Sequence, residues 1–173
     1  TSEQMAHVGV MAKNTGKSMK EAMREFGQAA VLAGESHNMS SKVIGKAMGQ
    51  IVDNYDTFGS MAPQTMANVA VFTKKLGIEV KALTGLVDKF DNFEDAAKSA
   101  ARLAQSMGMN VNAMKMMREQ DPAKRLSMLQ RAFKASGRSI EGMTRQQKKL
   151  LASSAGLDLK TTEMAFSQRG LSM

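Results

Sequence analysis

Side chains able to do chemistry are few in this chain, and they are scattered. The two histidines, His7 and His37, stand thirty residues apart with no companion at metal-ligand spacing. There is no cysteine, which excludes thiolate metal sites and disulfides and leaves the redox compartment open. Carboxylates pair at Asp88/Asp91 and Glu94/Asp95, the residue type that general acid–base catalysis employs. Both pairs fall where helix caps and first turns are expected, and there a carboxylate opposes the positive end of the helix. Gly16-Lys17-Ser18 has the ending of a phosphate-cradling loop, but the first glycine of that motif would be residue 11, which is Met11, and no strand precedes it. No catalytic, cofactor-binding or metal-binding residue is assigned, no cofactor is expected, and the chain is read as not an enzyme.

Charge is the stronger chemical signal. The formal net charge is +8, and the stretch from Lys115 to Lys149 carries ten basic residues against Glu119, Asp121 and Glu141, nearly the whole excess. Such a stretch can face nucleic-acid phosphates or an acidic protein wall, or can be the solvated outer faces of amphipathic helices. Only Phe133 interleaves with these charges, so a base-stacking platform is not expected. Arg125, Arg131, Lys134 and Arg138 are the candidate contact face.

The elements that must position these residues read as helices throughout. A unit of helix formers, glycine, then alternating apolar and polar residues recurs at Lys75-Leu76-Gly77-Ile78, Ser106-Met107-Gly108-Met109, Ala135-Ser136-Gly137-Arg138 and Ser154-Ala155-Gly156-Leu157. Glycine after a helix takes the left-handed conformation that closes it, and the next apolar residue packs back on the last turn. The corners at Gly77, Gly108 and Gly137 are 31 and 29 residues apart, but the next comes after 19, so they read as shared corner chemistry rather than a solenoid. Apolar residues at three- and four-residue steps mark helices over 17–33 and from about 40 to Tyr55, where Gly45 and Gly49 would allow close helix contact. Pro63 opens a helix to Leu76, and a short one covers 80–89. Asp91 and Glu94 have capping-box spacing for a helix ending before Gly108. Asp121-Pro122 opens another, with Leu126, Leu129, Phe133 and Met128 inward; 140–154 and a stretch from Asp158 complete the set. The expectation is an all-α fold, an irregular bundle of about seven to nine short helices joined by tight Gly-closed turns. Residues 1–16 read as a frayed lead-in or a partial helix and 17–173 as one helical domain, the ordered part of a longer polypeptide.

Seventeen methionines and no tryptophan give an unusual core. Methionine favours helix and fills irregular gaps, and the same flexibility suits an adaptable surface for partner subunits. Apolar runs such as Val69–Phe72 fall far short of the roughly 20 residues a membrane span needs. His7–Ala12 is too short for a signal peptide's apolar region, so a soluble, untargeted segment is expected.

From Val80 to Asp158 the order of these features resembles a known family. Phe90-Asp91-Asn92-Phe93-Glu94-Asp95-Ala96-Ala97, the helix ending Met107-Gly108-Met109-Asn110, the run Asp121 to Leu129, Lys134-Ala135-Ser136-Gly137-Arg138-Ser139 and Ala152-Ser153-Ser154-Ala155-Gly156-Leu157 resemble a segment of the tail tape-measure or virion structural proteins of contractile-tailed bacteriophages. The likeness covers a little under half of the chain, and the amino-terminal third lies outside it. It implies a mostly helical, non-enzymatic polypeptide, present as a homo-oligomer in the lumen of the virion tail tube after assembly in the host cytoplasm. Its implied partners are tail tube and baseplate hub proteins and, transiently, DNA, with no small-molecule substrate. It further implies a part in setting tube length, in tail assembly and in genome ejection. A small basic helical nucleic-acid-binding module, or a head or baseplate structural protein, are the alternatives.

Overall fold

The structure, a computed structural model, describes residues 2–173. Among the described residues there are twelve α-helices, two 3-10 turns and no strand, so the all-α expectation holds and the count of seven to nine is too low. The chain divides into two compact units: the chain up to Lys74 with Glu79–Lys81, and Lys75–Ile78 with Ala82–Met173.

In the first unit α1 (Ser2–Thr15), α2 (Met19–His37) and α3 (Ser41–Asp53) pack mutually, and α4 (Tyr55–Phe58) follows on α3. The expected lead-in is therefore a helix that buries Val8, Met11 and Ala12; residue 1 lies outside the described residues. Its apolar positions are too few for a clear period, and its fixed place comes from α2 and α3. Ser18 caps α2 by accepting from the Glu21 N–H, and Ala22, Phe26, Ala29, Ala30 and Ala33 line its buried face. On α3, Gly49 permits the close contact its spacing suggests. The His7 ring of α1 lies where a Cβ would stand, and Nε2 bonds the Asp53 carboxylate at 2.9 Å. Most of α5 (Pro63–Leu76) completes this unit.

The second unit is built around α6 (Thr84–Phe90), which touches α7 (Phe93–Met107), α8 (Ala113–Arg118), α9 (Pro122–Ala135) and α10 (Arg145–Ala155). Leu86, Val87 and Phe90 of α6 are buried, as are Leu103, Met107, Met116, Leu126 and Leu129. Phe133 of α9 meets Phe166 of α11 (Leu159–Phe166) with ring centroids 5.0 Å apart and planes tilted by 54°, a favourable aromatic arrangement. A short α12 (Gln168–Leu171) ends the chain, and the buried Gln130 amide donates to the carbonyls of Ala165 and Gly170. Gly85 and Gly156 bring α6 and the end of α10 into backbone contact, since a Cβ on either would collide with the other's carbonyl oxygen.

Several local expectations change. Glycine with positive φ directly follows α1, α5, α7 and α10 and stands two residues past the end of α9, but α2 ends on Asn38, α3 on Asn54, α8 on Glu119 and α11 on Ser167, so the turns are not uniformly closed by glycine. The cap of α7 is Asn92, bonded to the Asp95 N–H, rather than Asp91. Helix α8 lies in a stretch with no helix assigned from sequence, and its cap is Asn112. The expected 140–154 helix is a 3-10 turn, Ile140–Gly142, followed by α10, whose Thr144/Gln147 capping box starts the helix five residues later. Asp121-Pro122 and Asp158 start α9 and α11 as the sequence indicates.

Candidate contact face

Helix α9 carries the candidate cations because its carboxylate cap and Pro122 fix its first turn and its Leu126, Leu129 and Phe133 stripe fixes its rotation. That rotation separates the four residues. Arg125 is a correction to the contact face: it is 2% exposed and turned into the unit. Its Nε donates to the Glu119 carbonyl at 2.6 Å and its Nη2 to the Met117 carbonyl at 3.1 Å. Its Nη1 donates to the Val87 carbonyl at 3.0 Å and to the half-exposed Asp91 carboxylate at 2.9 Å. The guanidinium thus ties the ends of α6 and α8 to α9, and the rigid fork of donors suits four acceptors around one plane. Arg125 stands four residues before Leu129 and eight before Phe133, on the apolar stripe itself, a signal that was available in the sequence.

Arg131 and Lys134 are exposed, one turn apart. Arg138 is exposed as a residue but anchored, its Nε donating to the Met107 carbonyl at 2.8 Å across the end of α7. What the structure joins to Arg131 is Lys115 of α8, a residue outside the four. Together they flank an open groove of about 600 Å³ between Gly108–Asn112 and the outer side of α9. Val111, Met116, Met128 and Ala132 line it beside Asn110, Asn112 and Ser136, and no carboxylate lines it. Neither Lys115 nor Arg131 is held in an ion pair among the described residues.

The first unit has a surface of different character. Met5, Val8, Met23, Phe26, Ala30 and Val31 line an apolar groove of about 430 Å³, with Lys42 at its edge. Met19 and Met23 of α2 are exposed although they share the helical period of its buried residues, and Met23 lines this groove. No group of three or more histidine, aspartate or glutamate side chains able to hold a metal occurs among the described residues, and none of their helices is long and apolar enough to cross a membrane. No protein-family model, curated protein or solved structure matches the chain.

The carboxylates singled out in the sequence take varied places. Asp91 holds Arg125, Glu94 pairs with Lys98 at 2.8 Å, and Asp95 accepts from the Asn92 amide. Glu141 is held below the usual carboxylate range, first by the Ser139 hydroxyl donating at 2.5 Å and then by its own N–H, the Gln168 N–H and Lys148. His7 is buried with Nδ1 unpartnered against α3, so it packs the first unit.

Proposed function

We propose that this chain is a non-enzymatic structural component of a contractile phage tail, a tape-measure-like segment that helps set tube length and takes part in tail assembly and genome ejection. The observation that carries the reading is the resemblance from Val80 to Asp158, a stretch that falls almost wholly within the second compact unit. The two open grooves support it, because an assembly component needs surfaces that accept other chains. Its partners would be further copies, the tube and baseplate hub proteins and, transiently, the passing DNA, inside the tail-tube lumen. The test is electron microscopy of particles whose parent gene lacks 80–158. Changed tail length or failed assembly supports the reading, and normal infectious particles overturn it. Labelling the chain within particles separates a tail location from the head or baseplate alternative.

A basic nucleic-acid-binding module is the second reading, favoured by the exposed Lys115, Arg131 and Lys134. It requires DNA binding that falls steeply with salt, because each phosphate contact releases counterions. Absence of binding at low salt removes it.

A further inference from the structure

We propose that the Lys115/Arg131 groove is the socket for the Phe93 end of helix α7 from a second copy of this chain, so that copies join head to tail. The inference does not depend on the tail reading. Phe93 is the first residue of α7 and is 55% exposed, in a helix whose start is fixed by the Asn92 cap. Phe93 is one of the two most exposed large apolar side chains among the described residues, and a ring carried on an ordered helix start is a rigid anchor for a partner surface. Exposed Asp91, Glu94 and Asp95 surround it in sequence, and Asp88–Asp95 holds four carboxylates against Lys89 alone. Lys89, Arg125 on Asp91 and Lys98 on Glu94 offset three of the four carboxylates, and Asp95, whose partner is the neutral Asn92 amide, leaves this end with one net negative charge.

The groove is the complement of that end. Its lining mixes Val111, Met128 and Ala132 with Asn110, Asn112 and Ser136, both of its charged residues are cations, and neither cation is engaged in an ion pair among the described residues. At about 600 Å³ it has room for a phenyl ring with carboxylates reaching Lys115 and Arg131 on its rim. Acidic surface against basic surface fixes the orientation of approach and disfavours knob against knob.

Helix α7 itself shows why the contact lies between copies. Phe93 opens the helix, and Gly108, which closes it, lines the groove. Fifteen residues of helix separate the two by about 22 Å at 1.5 Å per residue. A helix cannot fold its own ends together, so each copy presents a knob at one end and a socket at the other. The contact is heterologous, and repetition gives a ring where the rotation closes or a filament where it does not. A single aromatic knob buries far less than the roughly 1,600 Å² of a standard stable interface, so each joint is weak and gains from repetition.

The test is sedimentation of the intact chain, up to about 1 mM, where a weak joint still populates, beside Phe93→Ala and the double variant K115E/R131E. All three substitutions are at exposed positions, and far-UV circular dichroism checks that each variant stays helical. The wild type gains mass with concentration, and each variant alone weakens association by about ten-fold or more. The two variants mixed give a dimer and nothing larger, because one intact knob meets one intact socket. A wild type that stays monomeric, a Phe93→Ala chain that associates as the wild type does, or folded variants that fail to pair on mixing each overturns the proposal. Short duplex DNA bound by a monomeric wild type and lost in K115E/R131E would overturn it too, by giving the groove to phosphate.

Discussion

Arg125→Met asks whether this arginine belongs to a contact face or to the core of the second unit. Methionine keeps the length of the side chain and removes every donor, leaving the carbonyls of Val87, Met117 and Glu119 and one oxygen of Asp91 without their partner. A buried acceptor stripped of its bond costs about 1–3 kcal/mol. The Val87 bond is fully buried; the others are partly open, so water recovers some of their loss. The expected total is about 3–5 kcal/mol, from one buried and three partly open acceptors stripped together, while the half-exposed Asp91 carboxylate regains water. A unit of this size holds about 5–14 kcal/mol, so between a fifth and all of its stability is at stake. The sequence has no tryptophan and its one tyrosine, Tyr55, is in the first unit, so the readout should be backbone-based. Amide hydrogen exchange across α6 and α9 in a urea series serves. Arg125→Lys should recover little, since one ammonium cannot serve four acceptors around a plane. Arg131→Met, at an exposed position, should stay within about 0.5 kcal/mol. A cost under about 1 kcal/mol for Arg125→Met, or equal costs at 125 and 131, would refute the assignment of Arg125 to the core.

Three further outcomes are expected. Gly85→Ala should destabilise the second unit by about 1–3 kcal/mol in a thermal melt, although alanine is otherwise the better helix former, because its methyl meets the Gly156 carbonyl; a gain in stability would contradict the close crossing. Gly49→Ala should cost the first unit a similar amount by driving its methyl into the His7 ring, and His7→Ala should relieve it, measurable as non-additivity in a double-mutant cycle. Glu141 has a folded-state pKa below its ordinary value, so its contribution is present above that ordinary value and is lost as pH falls through the lowered one. Ser139→Ala should therefore move the Glu141 titration back up, as read by NMR, and an unchanged midpoint would remove the Ser139 hydroxyl as the principal cause.

Helix starts were legible wherever a capping residue stands beside a clear apolar period, as at Asp121-Pro122 and Asp158. They were not legible where packing decides. Helix α1 has little period of its own and is held by α2 and α3, and α8 has six residues, too short for an amphipathic pattern to register. The basic stretch was visible as charge, and the place of Arg125 on the apolar stripe was legible too, but the acceptors that hold it were not. Arg125 and Arg131 are six positions apart on one helix, and only the facing ends of α6 and α8 make one a buried tie and leave the other free. The His7–Asp53 pair joins residues 46 apart on different helices, a spacing that no local pattern signals. The socket escaped for a related reason, since Lys115 lies on the helix the sequence did not reveal.

The compactness of the second unit changes what a length experiment should read. A polypeptide acts as a ruler when each residue adds a fixed rise, and the 79 residues from Val80 to Asp158, drawn out as one helix, would span about 120 Å at 1.5 Å per residue. Folded, the 92 residues from Ala82 to Met173 have a radius of gyration of about 12 Å by the scaling for compact domains, hence a width near 30 Å. On the proposed tail function, deleting 80–158 should then shorten a tail by about 30 Å or less if the unit keeps its fold inside the tube, and by about 120 Å if it is pulled out. The Gly85–Gly156 crossing, the Arg125 tie and the Phe133–Phe166 contact join residues 71, 34 to 38 and 33 positions apart, and drawing the chain out would break them all. We therefore expect the small change, with the defect falling on assembly or ejection. Shortening by about 120 Å would mean that the tail environment unfolds this unit, and the sockets and ties of the folded chain would then describe its state before assembly.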